Sequence, residues 1–241
     1  MKDITCVVQA RISSGMEYGY SPGDHRLDKK MILPFAGSNL VEVTLNKLLQ
    51  CKNLKMEQIY LVACEKELTD IADRLGVQVY KRSKASICKG ASDEELYKFV
   101  HDINADYFMQ ISPTNPLLNP KTIDDALETF ENSDYKSLFA VIERKNYFFH
   151  KDGKLATEFL RDPSLIYTLD TKFVGALYEA GHSIYIWPAD RVRNGQKRWD
   201  FSKDDPYLFP ISDREGFDID EKWQFEVAEA AYLNSVRDGT L

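Results

Sequence analysis

At 241 residues, with 44% hydrophobic and 12% aromatic content, the chain is long enough to bury a substantial core. Its net charge of −7 argues against a nucleic-acid partner, which requires a basic excess. No apolar run approaches the roughly 20 residues of a membrane span, so no membrane role is expected.

The chain begins with an apolar, β-branched run, residues 4–10 (ITCVVQA), and passes directly into Arg11, Ser13, Ser14 and Gly15. In α/β proteins ligands sit outside the carboxyl ends of parallel strands, which makes this loop a candidate anion site. Backbone amides, hydroxyls and cations can hold a polyphosphate there; the alternative is a solvated surface loop. Residues 40–49 repeat apolar positions every three or four residues and predict a helix with one buried face. Residues 58–64 (QIYLVAC) predict a second strand. A helix over 66–75, closed by Gly76, and a strand over 77–80 follow.

Alternating strands and helices at this spacing imply βαβ units and a mostly parallel, Rossmann-like α/β sheet flanked by helices. Ser92-Asp93-Glu94-Glu95 has the composition of a capped helix start, with Leu96, Phe99, Val100 and Ile103 as the buried face. The strand over 107–111 stops at Ser112-Pro113-Thr114-Asn115-Pro116-Leu117, a rigid, polar-lined loop and a second candidate wall, or else a plain turn into the helix over 121–130. Residues 137–144 predict another strand. A small Asp-Gly hairpin follows near Asp152-Gly153, with exposed aromatics, and residues 173–188 alternate as a strand does. The polar stretch 190–205 is expected to be a mobile surface loop.

Near the end, Asp218-Ile219-Asp220 precedes an amphipathic helix beginning around Trp223. If extended, it turns both carboxylates to one side and Ile219 inward. Two such carboxylates suit Mg2+, which takes one or two of them together with substrate phosphates; the plainer alternative is Asp220 as a helix cap. Cys6, Cys51, Cys64 and Cys88 lack metal-site spacing and are expected as free thiols of a reducing compartment. With no charged-then-apolar leader after Met1, a cytoplasmic location is expected. No linker or repeat divides the chain, so residues 1–241 are taken as one domain, with about 145–190 a candidate subunit-contact or acceptor insertion.

Three stretches taken together are more specific than any one alone. They are Ala10-Arg11 with Ser14 and then Arg26-Leu27 with Lys30; Ser112-Pro113-Thr114-Asn115-Pro116-Leu117; and Asp218-Ile219-Asp220. In this order they resemble the cytidylyltransferase family that includes CMP-sialic acid, CMP-nonulosonate and CMP-KDO synthetases. The resemblance implies a Mg2+-assisted transfer of CMP from CTP to a small acidic acceptor, with release of pyrophosphate.

It further implies catalytic roles for Arg11, Lys30, Asp218 and Asp220. Nucleotide contacts fall on Ala10, Arg11, Ser13, Ser14, Lys30, Arg82, Ser92, Ser112, Pro113 and Thr114, and metal ligation on Asp218 and Asp220. Asn115, Leu117 and His25 are the acceptor candidates, and a homodimer is expected. The chain departs from the family pattern at Ile12, Ser13, Met31, Ser112 and Leu118. Residues 16–25 lengthen the opening loop. The rival classes are a nucleotide-sugar-dependent glycosyltransferase and a non-catalytic nucleotide-binding relative.

Overall fold

The computed structural model describes residues 2–12, 27–88, 90–162, 164 and 170–240. Its centre is a seven-stranded sheet in the order β3-β2-β1-β4-β6-β5-β7. The strands are β1 (Ile4–Gln9), β2 (Ile59–Ala63), β3 (Gln78–Lys81), β4 (Tyr107–Ile111), β5 (Leu138–Arg144), β6 (Leu177–Pro188) and β7 (Tyr207–Ile211). The first four run parallel. The long strand β6 lies antiparallel between β4 and β5, and β7 pairs parallel to β5. This is the expected mostly parallel α/β sheet.

Because side chains alternate across a strand, β1 supplies both faces of the core. Cys6 and Val8 pack under α1 (Leu40–Gln50), α2 (Lys66–Leu75) and α5 (Pro120–Glu131), whose inward faces carry Val41, Leu45, Leu68, Ile71, Ile123 and Leu127. Val7 faces the opposite cluster, which holds Phe99, Phe108, Trp187 and Trp199. Gly76 ends α2 at φ 73, a left-handed conformation that glycine adopts without a Cβ penalty. A third cluster joins α1 to the C-terminal helix α7 (Lys222–Asp238) through Leu40, Ile219 and Phe225, with Phe35 5.3 Å from Phe225 in an edge-on contact.

Two expectations are corrected. The helix starting at Ser92 is two pieces, α3 (Asp93–Leu96) and α4 (Phe99–Asp102). Tyr97 and Phe99 both lie edge-on to Trp187, and residues two apart cannot share one face of a helix. Breaking the helix between them lets both rings turn inward.

The polar stretch 190–205 is not a loose surface loop. It continues α6 (Ala189–Arg193), buries Trp199, and is tied down by Asp205, which is 3% exposed. Asp205 accepts from Arg191 Nη2 at 2.8 Å and Ser137 Oγ at 2.6 Å. The Asp-Gly turn forms as expected, with His150 N donating to Lys154 O at 2.7 Å, although the hairpin has a single bridge, Phe149 to Leu155.

Candidate active site

The carboxyl ends of β1, β2 and β3 meet around Arg82. Its Nη2 donates to Ala10 O at 3.1 Å, and its backbone N donates to Ala63 O at 3.0 Å. Burial holds the Arg82 guanidinium below its usual pKa; Glu65 opposes that shift and Arg11 adds to it. Glu65 Oε1 accepts from Ile12 N at 2.9 Å, while Glu65 Oε2 and Arg82 Nε are buried with no hydrogen-bond partner among the described residues. Arg11 Nη1 donates to Ile87 O at 2.8 Å. Arg11 and Arg82 thus place two guanidinium-bearing residues at the end of β1, with Glu65 acting on Arg82, a local excess of positive charge among the described residues that favours an anion.

The three sequence stretches are brought together by backbone hydrogen bonds. Leu27 N donates to Asp220 O at 2.6 Å, and Ile219 N donates to Thr114 O at 3.0 Å. Lys30 Nζ donates to Asp220 Oδ1 at 2.8 Å and also to Ile219 O. Ile219 is fully buried between the two aspartates, as an extended Asp-Ile-Asp requires. The cap of α7 is Glu221, which forms a capping box with Gln224, so Asp220 is released for Lys30. In the middle loop, Ser112 and Thr114 hydroxyls are 2.7 Å apart, and Ser112 N donates to Ser183 O at 3.1 Å.

The middle loop rests on a residue the sequence did not single out. Lys47, 5% exposed, donates from α1 to Pro116 O at 2.6 Å and Leu118 O at 3.0 Å. Burial pushes its pKa down to about 7, against the nearby Cys51 and Glu215. Asn115 and Leu117, expected to meet an acceptor, are 1% and 5% exposed; Asn115 Nδ2 is turned inward to Gly181 O at 3.3 Å. Pro113 is buried, and the exposed Ser92 uses its hydroxyl to cap α3 by accepting from Glu95 N. Ser13, Ser14, His25 and the long stretch 16–25 lie outside the described residues.

Asp218 Oδ1 is buried with no hydrogen-bond partner among the described residues, so it has a lone pair available to a ligand. No group of three His, Cys, Asp or Glu side chains converges among the described residues. A hard cation here would draw on the Asp218 and Asp220 pair and on ligand oxygens, in keeping with Mg2+ preferences.

With this geometry in view, the family model described as cytidylyltransferase matches residues 5–202. The chain belongs to the cytidylyltransferase family. It is 29% identical over 105 residues to a 3-deoxy-manno-octulosonate cytidylyltransferase from Pelodictyon phaeoclathratiforme (strain DSM 5477 / BU-1), covering 44% of this chain. A protein of the same name from Chlorobium luteolum (strain DSM 273 / BCRC 81028 / 2530) matches at the same identity and length. The match spans 40% of the length of each of these curated relatives.

The fold of this family member is similar to that of a CMP:2-keto-3-deoxy-manno-octonic acid synthetase solved with CTP. The TM-score is 0.66 at 13% identity, covering 97% of this chain and 99% of the other. It is also similar to a 4-diphosphocytidyl-2C-methyl-D-erythritol synthase from Anaerococcus prevotii DSM 20548, at TM-score 0.61 and 10% identity, covering 97% and 99% of the two chains.

Proposed function

We propose that the protein transfers CMP from CTP to a small acidic acceptor and releases pyrophosphate. The observation that carries this reading is the union of Lys30 and the Asp218-Ile219-Asp220 segment with the loop after β4, in a chain of this family. An acceptor oxygen attacks the α-phosphorus in line, and the bond from that phosphorus to the bridging β-phosphate oxygen breaks. Such transfers depend mainly on positioning and charge neutralisation.

In this reading Arg11 and Lys30 bind the leaving phosphates, and Arg82 fixes the carbonyl of Ala10 so that the strand end holds its shape. Ser112 and Thr114 orient the nucleotide with their hydroxyls. Asp218 and Asp220 hold Mg2+, which when bound neutralises charge on the triphosphate. Four free thiols agree with a cytoplasmic location. No described helix is long and apolar enough to cross a membrane. Exposed Leu177, Tyr178 and Leu208 give β6 and β7 an apolar surface suited to the expected homodimer.

Pyrophosphate release tests the reading, using each of the four nucleoside triphosphates with Mg2+ against an acceptor panel. The panel runs from 2-keto sugar acids, suggested by the names of the curated relatives, to phosphorylated and phosphonylated small molecules. Release is expected with CTP and one acidic acceptor. Folded protein that releases nothing with any pair overturns the proposal.

A further inference from the structure

Lys47 stands on the buried face of α1, and its hydrogen bonds among the described residues go to neutral carbonyls alone. The ammonium faces three of them on the loop after β4: Asn115 O at 3.5 Å, Pro116 O at 2.6 Å and Leu118 O at 3.0 Å. An ammonium has three N–H donors and no acceptor, so three carbonyls match it. The neutral amine has two donors and a lone pair, which would be turned toward a carbonyl oxygen. A leucine would fill the same helix position without burying a charge, so packing alone does not account for a lysine.

The loop that Lys47 holds is the one that reaches the site. Thr114 O, beside Asn115, accepts from Ile219 N at 3.0 Å, and Ile219 lies between Asp218 and Asp220. The loop's own side chains anchor it weakly: Asn115 Nδ2 reaches Gly181 O only at 3.3 Å, and Asn115 Oδ1 is buried with no hydrogen-bond partner among the described residues. Residues 112–118 carry no titratable side chain. The groups that face Lys47 from the surrounding elements are Cys51 on α1, Asp124 on α5 and Glu215 after β7, with Cys6 on β1 acting on Cys51. Burial pushes Cys51 up to about 12 and raises Cys6 as well, so both are thiols near neutrality. Asp124 accepts from Lys52 N and Asn53 N, both at 2.9 Å, and Glu215 accepts from Asn119 N, Thr122 Oγ1 and Ser212 Oγ. Burial brings Lys47 itself down to about 7, with Cys51 and Glu215 opposing, so modest changes of pH alter its charge.

We propose that Lys47 is a positioning residue for nucleotide binding, and that its charge decides how firmly the loop after β4 is held. Charged, the ammonium clasps the loop and keeps Ser112 and Thr114 in place for the nucleotide. Uncharged, it gives up one carbonyl, the loop loosens and binding weakens. By reciprocity, a nucleotide that closes against the held loop draws a proton onto Lys47. The proposal rests on the nucleotide-binding part of the transferase reading and not on the transfer itself.

Isothermal titration calorimetry with CTP and Mg2+, in two buffers of different ionisation enthalpy, reads that proton. At pH 7.5 the wild type is expected to take up about half a proton more than Lys47→Gln, which has no charge to gain. Its CTP affinity relative to Lys47→Gln or Lys47→Met should fall about fivefold between pH 6.5 and 8.5. Over the upper part of that range the stability of wild type relative to Lys47→Met rises instead, whereas a merely structural lysine would move both quantities in one direction. In the wild type alone, 13C NMR of the lysine ε-carbons should show one lysine titrating near neutrality, moved upward by CTP with Mg2+. Absence of that shift, or no proton uptake by the wild type, overturns the proposal whether or not the variants fold. So does an affinity ratio that is constant with pH, or equal uptake by Lys47→Gln. Charge-coupled CTP binding without pyrophosphate release with any acceptor would keep the clasp and overturn the transfer alone. No CTP binding at any pH would overturn both.

Discussion

Lys30 Nζ sits 2.8 Å from Asp220 Oδ1 and so joins residues 190 positions apart in sequence. The same ammonium reaches the carbonyl of Ile219, so one side chain clasps the opening loop to the segment before α7. In the proposed reaction this clasp also puts a cation beside the metal carboxylates, where the triphosphate would lie. Lys30→Met removes both functions. The ion pair is partly exposed, with 42% of the Asp220 side chain accessible, so its direct contribution to stability is small, about 1 kcal/mol or less. Calorimetry should show a drop of only a few degrees in Tm. CTP affinity should fall by tenfold or more in the same variant.

Asp218→Asn separates metal binding from folding. Its Oδ1 has no hydrogen-bond partner among the described residues, so the amide gives up no bond at that atom. The melting temperature should stay within a few degrees of wild type. Stabilisation by Mg2+ with CTP in a thermal-shift assay should vanish, and kcat/KM should fall by about 10²-fold or more. Wild-type Mg2+ dependence in this variant would remove Asp218 from the metal site.

Lys47 links stability to pH. Burial holds its folded pKa at about 7, below the unfolded value of 10.5. Between those values the unfolded chain binds the extra proton, so the contribution of Lys47 to stability grows as pH rises through this window and is lost as pH falls toward 7. Denaturant unfolding from pH 7 to 8.5 should show wild type gaining on Lys47→Met by roughly 1 kcal/mol per pH unit. Above that range the cysteines intervene, because burial also pushes Cys51 up to about 12. Hydrogen exchange should quicken at Leu118 in the variant, because the carbonyls of Pro116 and Leu118 lose their donor.

Gly216 sets how closely the Asp-Ile-Asp segment approaches the sheet. A Cβ there would lie 2.5 Å from Ile142 Cδ1 and 2.7 Å from its Cγ1. Gly216→Ala should therefore destabilise by about 1–3 kcal/mol through overpacking. If the segment shifts to relieve the clash, pyrophosphate release should fall further than the stability loss explains, as steady-state kinetics well below Tm would reveal.

The parallel half of the fold was legible because its signals are local. The helix over 66–75 and its Gly76 stop coincide with α2, since amphipathic spacing and a left-handed cap are both written in consecutive residues. The union of the loop after β4 with Asp218-Ile219-Asp220 was anticipated from the order of three motifs rather than from any one of them. Tertiary packing determined what was missed. The break between α3 and α4 answers to Trp187, distant in sequence, and Asp205 anchors a stretch whose composition resembles solvated loop. Lys47 was missed for the same reason: a lysine on a helix looks like a surface residue until its neighbours are known.

The central claim is tested most directly by 31P NMR of a mixture of the protein, CTP, Mg2+ and a 2-keto sugar acid. The account predicts loss of the three CTP resonances and growth of pyrophosphate together with a new phosphodiester signal from CMP joined to the acid. It also predicts that neither product signal appears with Asp218→Asn. Unchanged CTP across the full panel of acids, with folded protein, would contradict the account, and so would hydrolysis to CMP without a phosphodiester product.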